Sequence, residues 1–207
     1  MKKRKLVLST GNSHKVEEIK DILKDLPIEV LTKKDVGLGD LDVVEDGKTL
    51  EENSIKKAKA LAEKLDYMVL ADDSGLFVDR LNGEPGVYSS RYAGEEGNDK
   101  KNNQKLLEEL KDIPLKDRTA NFQAVIALVT EQKEVIVVKG QCKGTIGFKE
   151  EGNNDFGYDP LFIPEGYDRT FAELGEEIKN KISHRAKALD EMKKAIKDII
   201  GVSLIWK

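Results

Sequence analysis

The stretch Val69-Leu70-Ala71-Asp72-Asp73-Ser74-Gly75-Leu76-Phe77-Val78 decides how the rest of the sequence is interpreted. An apolar run of strand type ends in two carboxylates, a hydroxyl and a glycine, and hydrophobic residues then resume. Neighbouring side chains of a strand point to opposite faces, so Asp72 and Asp73 enter one pocket only if the backbone turns. Gly75 permits such a turn at positive φ. The stretch predicts a metal site at a strand end, and the alternative is an Asp-Ser-Gly turn with solvent-facing acids.

The composition is that of a soluble protein with one sizeable domain or two lobes. The 207 residues include 35 basic and 39 acidic side chains, and the net charge of −4 argues against a general nucleic-acid-binding protein. One cysteine, Cys142, and two histidines exclude an intramolecular disulfide and a Cys- or His-based metal cluster. No apolar run predicts a membrane span or a signal peptide. We therefore expect a cytoplasmic protein that has no membrane or nucleic-acid partner.

The N-terminal segment has the pattern of a phosphate-binding turn. Lys5–Ser9 is a candidate strand, Thr10–Lys15 a glycine-containing turn, and the residues after it have the apolar spacing of a helix. Free backbone N–H groups at such a helix start receive phosphate, and Lys15 adds a positive charge. The alternative is an ordinary strand–helix loop in which Asn12 or Ser13 caps the helix.

The middle of the chain predicts two helices and a hairpin. Thr49–Glu52 resembles a capping box and starts a helix with Ala58, Leu61, Ala62 and Leu65 inward and Lys56, Lys57 and Lys59 on its polar sides. A second helix starts at Asn98 or Asp99. The runs at 122–130 and 134–138 predict a long hairpin. Between these elements, Arg91 is a candidate phosphate ligand, or else a surface arginine.

Two later segments carry groups suited to a nucleobase. In the loop Gly152–Ile163, Phe156 is placed to stack on a base and Asp159 to accept from a ring N–H, although such a loop also serves as a hydrophobic anchor. Ser183 predicts an N-cap, which places His184 and Arg185 in the first turn of a helix. Cations there oppose the helix dipole, so with Lys179 they suggest a clamp for an anion or a carbonyl oxygen.

Five motifs in order resemble the inosine triphosphate pyrophosphatase family, whose substrates are non-standard purine nucleoside triphosphates. The motifs are Thr10–Lys15, Ala71–Leu76, Pro85–Arg91, Phe156–Pro160 and Ser183–Arg185. The resemblance covers nearly the whole chain. It implies a single domain over residues 1–207, an α/β fold with two lobes around an elongated mixed sheet, flanking helices and a central nucleotide-binding cleft. It also implies a homodimer and Mg²⁺-dependent cleavage of ITP, dITP or XTP to the monophosphate and pyrophosphate.

The same resemblance implies a role for each matched position. Asp73 matches the proton acceptor and metal ligand, with Asp72 as the alternative base, and Glu45 matches a second metal carboxylate. Ser74 matches the adjacent substrate contact. The positions matching triphosphate ligands are Thr10, Gly11, Asn12, Ser13, His14, Lys15, Lys57 and Lys179. The positions matching the base pocket are Phe156, Gly157, Tyr158 and Asp159, with His184 and Arg185 as contacts to the purine 6-oxo group.

Three alternatives are weighed against this function. A Maf-like nucleotide pyrophosphatase would act on pyrimidine or modified nucleotides, but the motifs at 156–159 and 183–185 favour purines. A nucleotide sensor without catalysis would need no general base, and the Asp72-Asp73 pair argues against it. A phosphatase of the phospho-aspartate type is disfavoured because no Asp-x-Asp pair follows the first strand.

Overall fold

The fold is a mixed α/β arrangement, described by a computed structural model over residues 3–153 and 156–201. In chain order the elements are β1 (Arg4–Leu8), α1 (Ser13–Leu23), β2 (Ile28–Thr32), α2 (Leu50–Ala62), β3 (Met68–Val78), α3 (Asp99–Glu109), β4 (Thr119–Val129), β5 (Val135–Ile146), β6 (Phe162–Pro164), α4 (Phe171–Leu174), α5 (Glu176–Ile182) and α6 (His184–Ile199). Within these ranges the strands form one sheet in the order β2-β1-β3-β4-β5-β6. Strand β1 is parallel to β2 and β3, and β5 is antiparallel to β6. The predicted mixed α/β fold is confirmed.

Strand β3 runs without interruption through the residues that were predicted to turn. Asp72, Asp73, Ser74 and Gly75 all lie inside Met68–Val78, and both carboxylate residues are buried, at 2% and 7% exposure. Gly75 has no positive φ. A Cβ at this position would instead lie 2.3 Å from the carbonyl oxygen of Gly86. Both sequence interpretations placed a turn here, and the turn is wrong: Gly75 lies inside β3 and permits the close approach of the Gly86 carbonyl.

The chain divides into two compact units. The first comprises residues 1–73, 125–139 and 187–207, and the second comprises residues 74–124 and 140–186. In the first unit α2 packs its apolar face on strand residues; the buried members of this core are Val7, Ala58, Leu61, Ala62, Val69, Ala71, Ala127 and Val129. The predicted single domain over residues 1–207 stays a prediction.

The second unit has a larger core in which aromatic rings meet. Phe122 lies 4.7 Å from Phe162 between ring centroids, in an edge-to-face arrangement, and Phe171 stacks on Phe162 at 5.3 Å. Such pairs add to the free energy gained by burying the rings. Cys142 on β5 is buried in this core. Tyr158 belongs to the same core, so the loop that contains Phe156 is anchored two residues further along the chain.

Helix starts follow the predicted capping residues. Thr49 accepts a hydrogen bond from Glu52 N at 3.1 Å, and Asn98 accepts one from Lys101 N at 3.1 Å. Ser183 accepts from Ala186 N at 3.1 Å at the start of α6. Each cap satisfies an N–H group that has no partner inside its helix. Across residues 3–153 and 156–201, the helices are too short or too polar to cross a membrane. Asn154 and Asp155 of the predicted glycine-rich loop lie outside the described residues.

Candidate active site

The turn between β1 and α1 presents exposed backbone at a helix start. Thr10 Oγ1 accepts from Asn12 N at 3.2 Å, and Asn12 caps α1 by accepting from Lys15 N at 3.2 Å. Residues 11–14 are exposed, and the first turn of α1 contains no acidic residue. These features suit an anion, because the positive end of the helix dipole is open to solvent. His14 lies at this exposed turn.

The two adjacent aspartates are paired with lysines from two different helices. Consecutive residues of a strand point to opposite faces of the sheet. Lys15 of α1 lies 2.6 Å from Asp72 Oδ1, whereas Lys57 of α2 lies 3.0 Å from Asp73 Oδ1. The pair therefore does not form one two-carboxylate pocket, and each carboxylate has its own environment.

Lys57 lies inside the first unit and not on the polar side of α2, where the helical pattern placed it. The residue is 9% exposed, and its Nζ lies 3.0 Å from Asp73 Oδ1 and 3.1 Å from Glu45 Oε2. The Lys57 carbonyl also accepts from Ser9 Oγ at 3.0 Å. A lysine is buried only where carboxylates compensate its desolvation, which is why the helical pattern alone misassigned it.

Burial and charge shift the pKa values of this pair. Burial raises the pKa of Asp73 above its ordinary value and outweighs the ammonium groups of Lys57 and Lys15, which lower it; Glu45 adds a further rise. For Lys57, burial lowers the pKa, but the carboxylates of Asp73, Glu45 and Asp72 together outweigh burial and raise it. Asp73 is thus a carboxylate with increased proton affinity, as a general base requires.

The first unit contains oxygen ligands that fit a divalent cation. The carboxylates of Glu45 and Asp73 both contact the Lys57 ammonium. The place between them therefore accommodates a positive charge. Asp73 Oδ2 is buried and has no hydrogen-bond partner among residues 3–153 and 156–201. No group of three or more His, Cys, Asp or Glu side chains suited to a metal occurs in those ranges. Two carboxylates suit a cation such as Mg²⁺, which keeps several waters and binds substrate phosphates.

Asn53 supports the segment that contains Glu45, and the sequence did not single it out. It is 1% exposed, and its Oδ1 accepts from Gly47 N at 2.8 Å. A Cβ at Gly47 would lie 2.5 Å from that oxygen, so a larger residue there would have to displace the Asn53 amide. Asn53 therefore fixes the chain two residues after Glu45. The Asp46-Gly47 dipeptide signals a turn, but no local signal indicates which side chain holds it.

The second unit brings together Ser74, Arg185 and His184. Arg185 is buried in the first turn of α6 and donates from Nη2 to Ser74 Oγ at 3.0 Å. The His184 ring stacks on Phe122 with centroids 4.7 Å apart and planes 10° apart. The predicted placement of both residues at a helix start is correct. The His184 imidazole thus packs on a ring of the second unit's core, and Arg185 contacts the hydroxyl that directly follows Asp73 in the chain.

Lys179 lies with the residues predicted for the base pocket. It is 1% exposed, its Nζ lies 2.6 Å from Asp159 Oδ2, and the same Nζ lies 4.7 Å from the Phe156 ring centroid. The ammonium therefore holds Asp159 as a charged acceptor and lies against the aromatic ring. The motif match had assigned Lys179 to the triphosphate.

Two further predicted ligands have contacts of a structural kind. Tyr158 is buried, burial raises its pKa, and its hydroxyl donates to Ser89 O at 2.8 Å. Arg91 lies 3.6 Å from Glu96 and 5.2 Å from the Tyr88 ring centroid. The Tyr158 hydroxyl therefore anchors the second unit's scaffold, and Arg91 lies in a small surface cluster.

Comparisons with known proteins agree with the five-motif resemblance. The model of the Ham1 family matches residues 6–195. The dITP/XTP pyrophosphatase of Clostridium perfringens is 52% identical, over 95% of this chain and 99% of that protein, and the Haemophilus influenzae dITP/XTP pyrophosphatase is 48% identical, over 92% and 98%. The structure of the Staphylococcus aureus Ham1 protein superposes with a TM-score of 0.84 at 40% identity, covering 95% of this chain and all of that one. Family match, sequence identity and fold together establish that this chain belongs to the Ham1 family.

Proposed function

We propose that this chain hydrolyses the non-standard purine nucleoside triphosphates ITP, dITP and XTP to the monophosphate and pyrophosphate. Relatives that match more than nine-tenths of the chain are named dITP/XTP pyrophosphatases. The observation that carries the proposal is the convergence of Glu45 and Asp73 on the Lys57 ammonium, with a buried Asp73 oxygen left without a partner among the described residues. This arrangement suits chemistry on a metal-bound polyphosphate.

Asp73 is the general base of the proposed reaction. Its Oδ2 accepts a proton from the attacking water, while Oδ1 stays paired with Lys57. Asp72 is the weaker candidate, because Lys15 lies 2.6 Å from its Oδ1. The amides after Thr10, with Lys15 and Lys57, stabilise negative charge on the leaving pyrophosphate. Mg²⁺ held by Glu45 and Asp73 would supply charge neutralisation on the triphosphate oxygens.

Base selectivity is a matter of donors and acceptors in the second unit. Hypoxanthine and xanthine present a 6-oxo acceptor and an N1–H donor, whereas adenine presents a 6-amino donor and an N1 acceptor. Arg185 and His184 donate to the oxo group, and Asp159, kept charged by Lys179, accepts from N1–H. Adenine leaves these buried groups without partners, at a cost of about 1–3 kcal/mol each.

We further propose that the protein acts as a cytoplasmic homodimer and has no nucleic-acid or membrane partner. The single cysteine supports a reducing compartment, and the negative net charge argues against a phosphate-backbone ligand. The dimer is supported by the motif resemblance alone. A central cleft that holds the substrate is likewise supported by the motif resemblance alone.

Incubation with a panel of nucleoside triphosphates and Mg²⁺ tests the proposed function. We expect release of pyrophosphate, not orthophosphate, fastest from ITP, dITP or XTP. Adenine does not match the donors and acceptors, whereas guanine shares the 6-oxo and N1–H groups and differs by its 2-amino group. Preference for UTP or CTP would favour the Maf-like alternative. Tight binding without turnover would favour a nucleotide sensor. Omission of Mg²⁺ should remove activity, and activity that survives full chelation would contradict the metal assignment.

Arg185→Ala should remove discrimination between ITP and ATP more than affinity for triphosphate. Loss of a charged donor to the 6-oxo group removes about 1.5–3 kcal/mol of preference, so the ratio of kcat/KM values should fall roughly ten- to a hundredfold. The matched control is Arg169→Ala, an exposed arginine of the same unit, which should leave the ratio unchanged. Undiminished selectivity in Arg185→Ala would remove Arg185 from base recognition.

A further inference from the structure

Helix α3 holds both backbone polar groups of Gly157. Asp99 Oδ2 accepts from Gly157 N at 2.8 Å, and Asn103 Nδ2 donates to Gly157 O at 3.0 Å. Asp99 and Asn103 are four residues apart, which places them on one face of the helix. More than fifty residues separate this face from the glycine that it binds. The contact is therefore a tertiary clamp on one residue of the segment Phe156–Asp159, here called the base loop.

The clamp also reaches the start of the connection that precedes the base loop. Asn103 is 3% exposed, and its Nδ2 donates to Glu150 Oε1 at 2.9 Å as well as to Gly157 O. An amide nitrogen has two hydrogens, so both donations are satisfied at once. One buried side chain thus ties Glu150 and Gly157, seven residues apart, to the same point of α3.

Two hydrogen bonds from α3 hold the backbone at Gly157, a position with open space on its side-chain side. Its φ is +57°, and a Cβ built there would have no neighbour within 4 Å. A glycine at positive φ in open space has wide conformational freedom. The next residue, Tyr158, is anchored in the core, whereas Phe156 precedes the clamped glycine. The Phe156 carbonyl accepts from Asp159 N at 3.2 Å. Loss of the clamp on the glycine between them would still let the Phe156 ring shift relative to the Asp159–Lys179 pair.

We propose that Asp99 and Asn103 are positioning residues. They set base selectivity by fixing the position of the Phe156 ring relative to the Asp159 carboxylate. The inference rests on the proposed function for the role of the base loop, while the clamp itself rests on the contacts given above. Neither residue needs to touch the nucleotide. Their effect reaches it through Gly157, which lies between the stacking ring and the acceptor carboxylate.

Asp99→Ala and Asn103→Ala should each lower the ITP-to-ATP ratio of kcat/KM roughly five- to tenfold, which corresponds to one lost hydrogen bond. The change should appear mainly in the KM for ITP, because Asp73, the proposed general base, lies outside the clamp. Asp99→Asn keeps an acceptor oxygen and should restore the wild-type ratio. Asn102→Ala is the matched control: this neighbour is equally buried but binds Ser90 O and Ala93 N, so it should lose stability and keep the ratio.

Amide hydrogen exchange at Gly157 gives a readout that does not depend on activity. Asp99→Ala should accelerate this exchange, and Asn102→Ala should not. Unchanged exchange in Asp99→Ala, or an equal loss of selectivity in Asn102→Ala, would overturn the proposal. If the wild type releases no pyrophosphate from ITP, the proposed function fails. The selectivity arm is then measured as the binding ratio of inosine to adenosine monophosphate, and a ratio unchanged in both clamp variants overturns the clamp's role.

Discussion

Asp73→Asn should lower the rate of pyrophosphate release from ITP by on the order of a thousandfold. The substitution keeps the size of the side chain but removes the carboxylate that accepts a proton and, with Glu45, holds the cation. Asp73 combines an Oδ1 that is paired with Lys57 and a buried Oδ2 that has no hydrogen-bond partner among the described residues. The measurement is steady-state release of pyrophosphate at saturating ITP and Mg²⁺.

The same variant should be at least as stable as the wild type at pH 7. Burial raises the pKa of Asp73 in the folded protein, even after the attraction to Lys57 is counted. When the pKa of a carboxyl group is raised in the folded state, the stability of the fold decreases as pH rises from the ordinary pKa to the raised pKa. Neutral asparagine avoids this loss, so the advantage of Asp73→Asn should shrink as pH falls through that window. Thermal unfolding between pH 4 and pH 8 measures it.

Two other acids serve as controls for Asp73. Asp66→Asn changes an exposed acid of the same unit and should leave both activity and stability unchanged. Asp72→Asn removes the partner of Lys15 and tests the alternative base. Full activity in Asp73→Asn together with lost activity in Asp72→Asn would transfer the catalytic role to Asp72. A marked loss of stability in Asp73→Asn would contradict the sign of the pKa shift.

Signals within a few residues of each other predicted the helix starts correctly. The caps at Thr49, Asn98 and Ser183 start α2, α3 and α6, because a side-chain oxygen and the N–H it binds are only three residues apart. The apolar spacing after residue 15 predicted α1, in which Ile19 and Leu23 are buried. These interactions are encoded locally, so a sequence shows them without knowledge of the tertiary structure.

Contacts between distant segments decided what the sequence did not show. Gly75 resembles a turn residue, but its role depends on Gly86, eleven positions later. Lys57 resembles a solvated lysine until Glu45 and Asp73 are brought to it. The composition of an isolated helix says nothing about which strand covers it. The motif resemblance selected Lys57 for function, and the tertiary contacts supply the physical reason for its burial.

Lys57→Met should lower the free energy of unfolding at pH 7 by about 3 kcal/mol, the cost of leaving a buried charge without its partner. Methionine fills a similar space, so the loss reflects charge more than a cavity. Asp73 is 7% exposed and would lose the lysine that lies 3.0 Å from its Oδ1. Glu45 would lose the same partner. Chemical unfolding monitored by circular dichroism measures the difference from the wild type.

The deficit of Lys57→Met should disappear in acid. Lys57 lowers the pKa of Asp73, although burial outweighs it, so removal of the ammonium raises this pKa further. A protonated Asp73 needs no cation, and the variant should therefore approach wild-type stability as pH falls below the raised pKa. Above that pKa the full deficit returns. At alkaline pH the wild type itself weakens, because the pKa of Lys57 is raised and its stabilisation is lost only as pH passes that value.

Lys56→Met provides the matched control for this experiment. Lys56 is the adjacent residue of α2 and lies 2.5 Å from Asp46, but both side chains are exposed, at 44% and 68%. Solvent screens that pair, so its removal should change stability little and without a strong pH dependence. If Lys57→Met lost the same free energy at acid and neutral pH, the loss would come from packing. Lys57 would then not act as the internal cation that the carboxylates of Glu45 and Asp73 require.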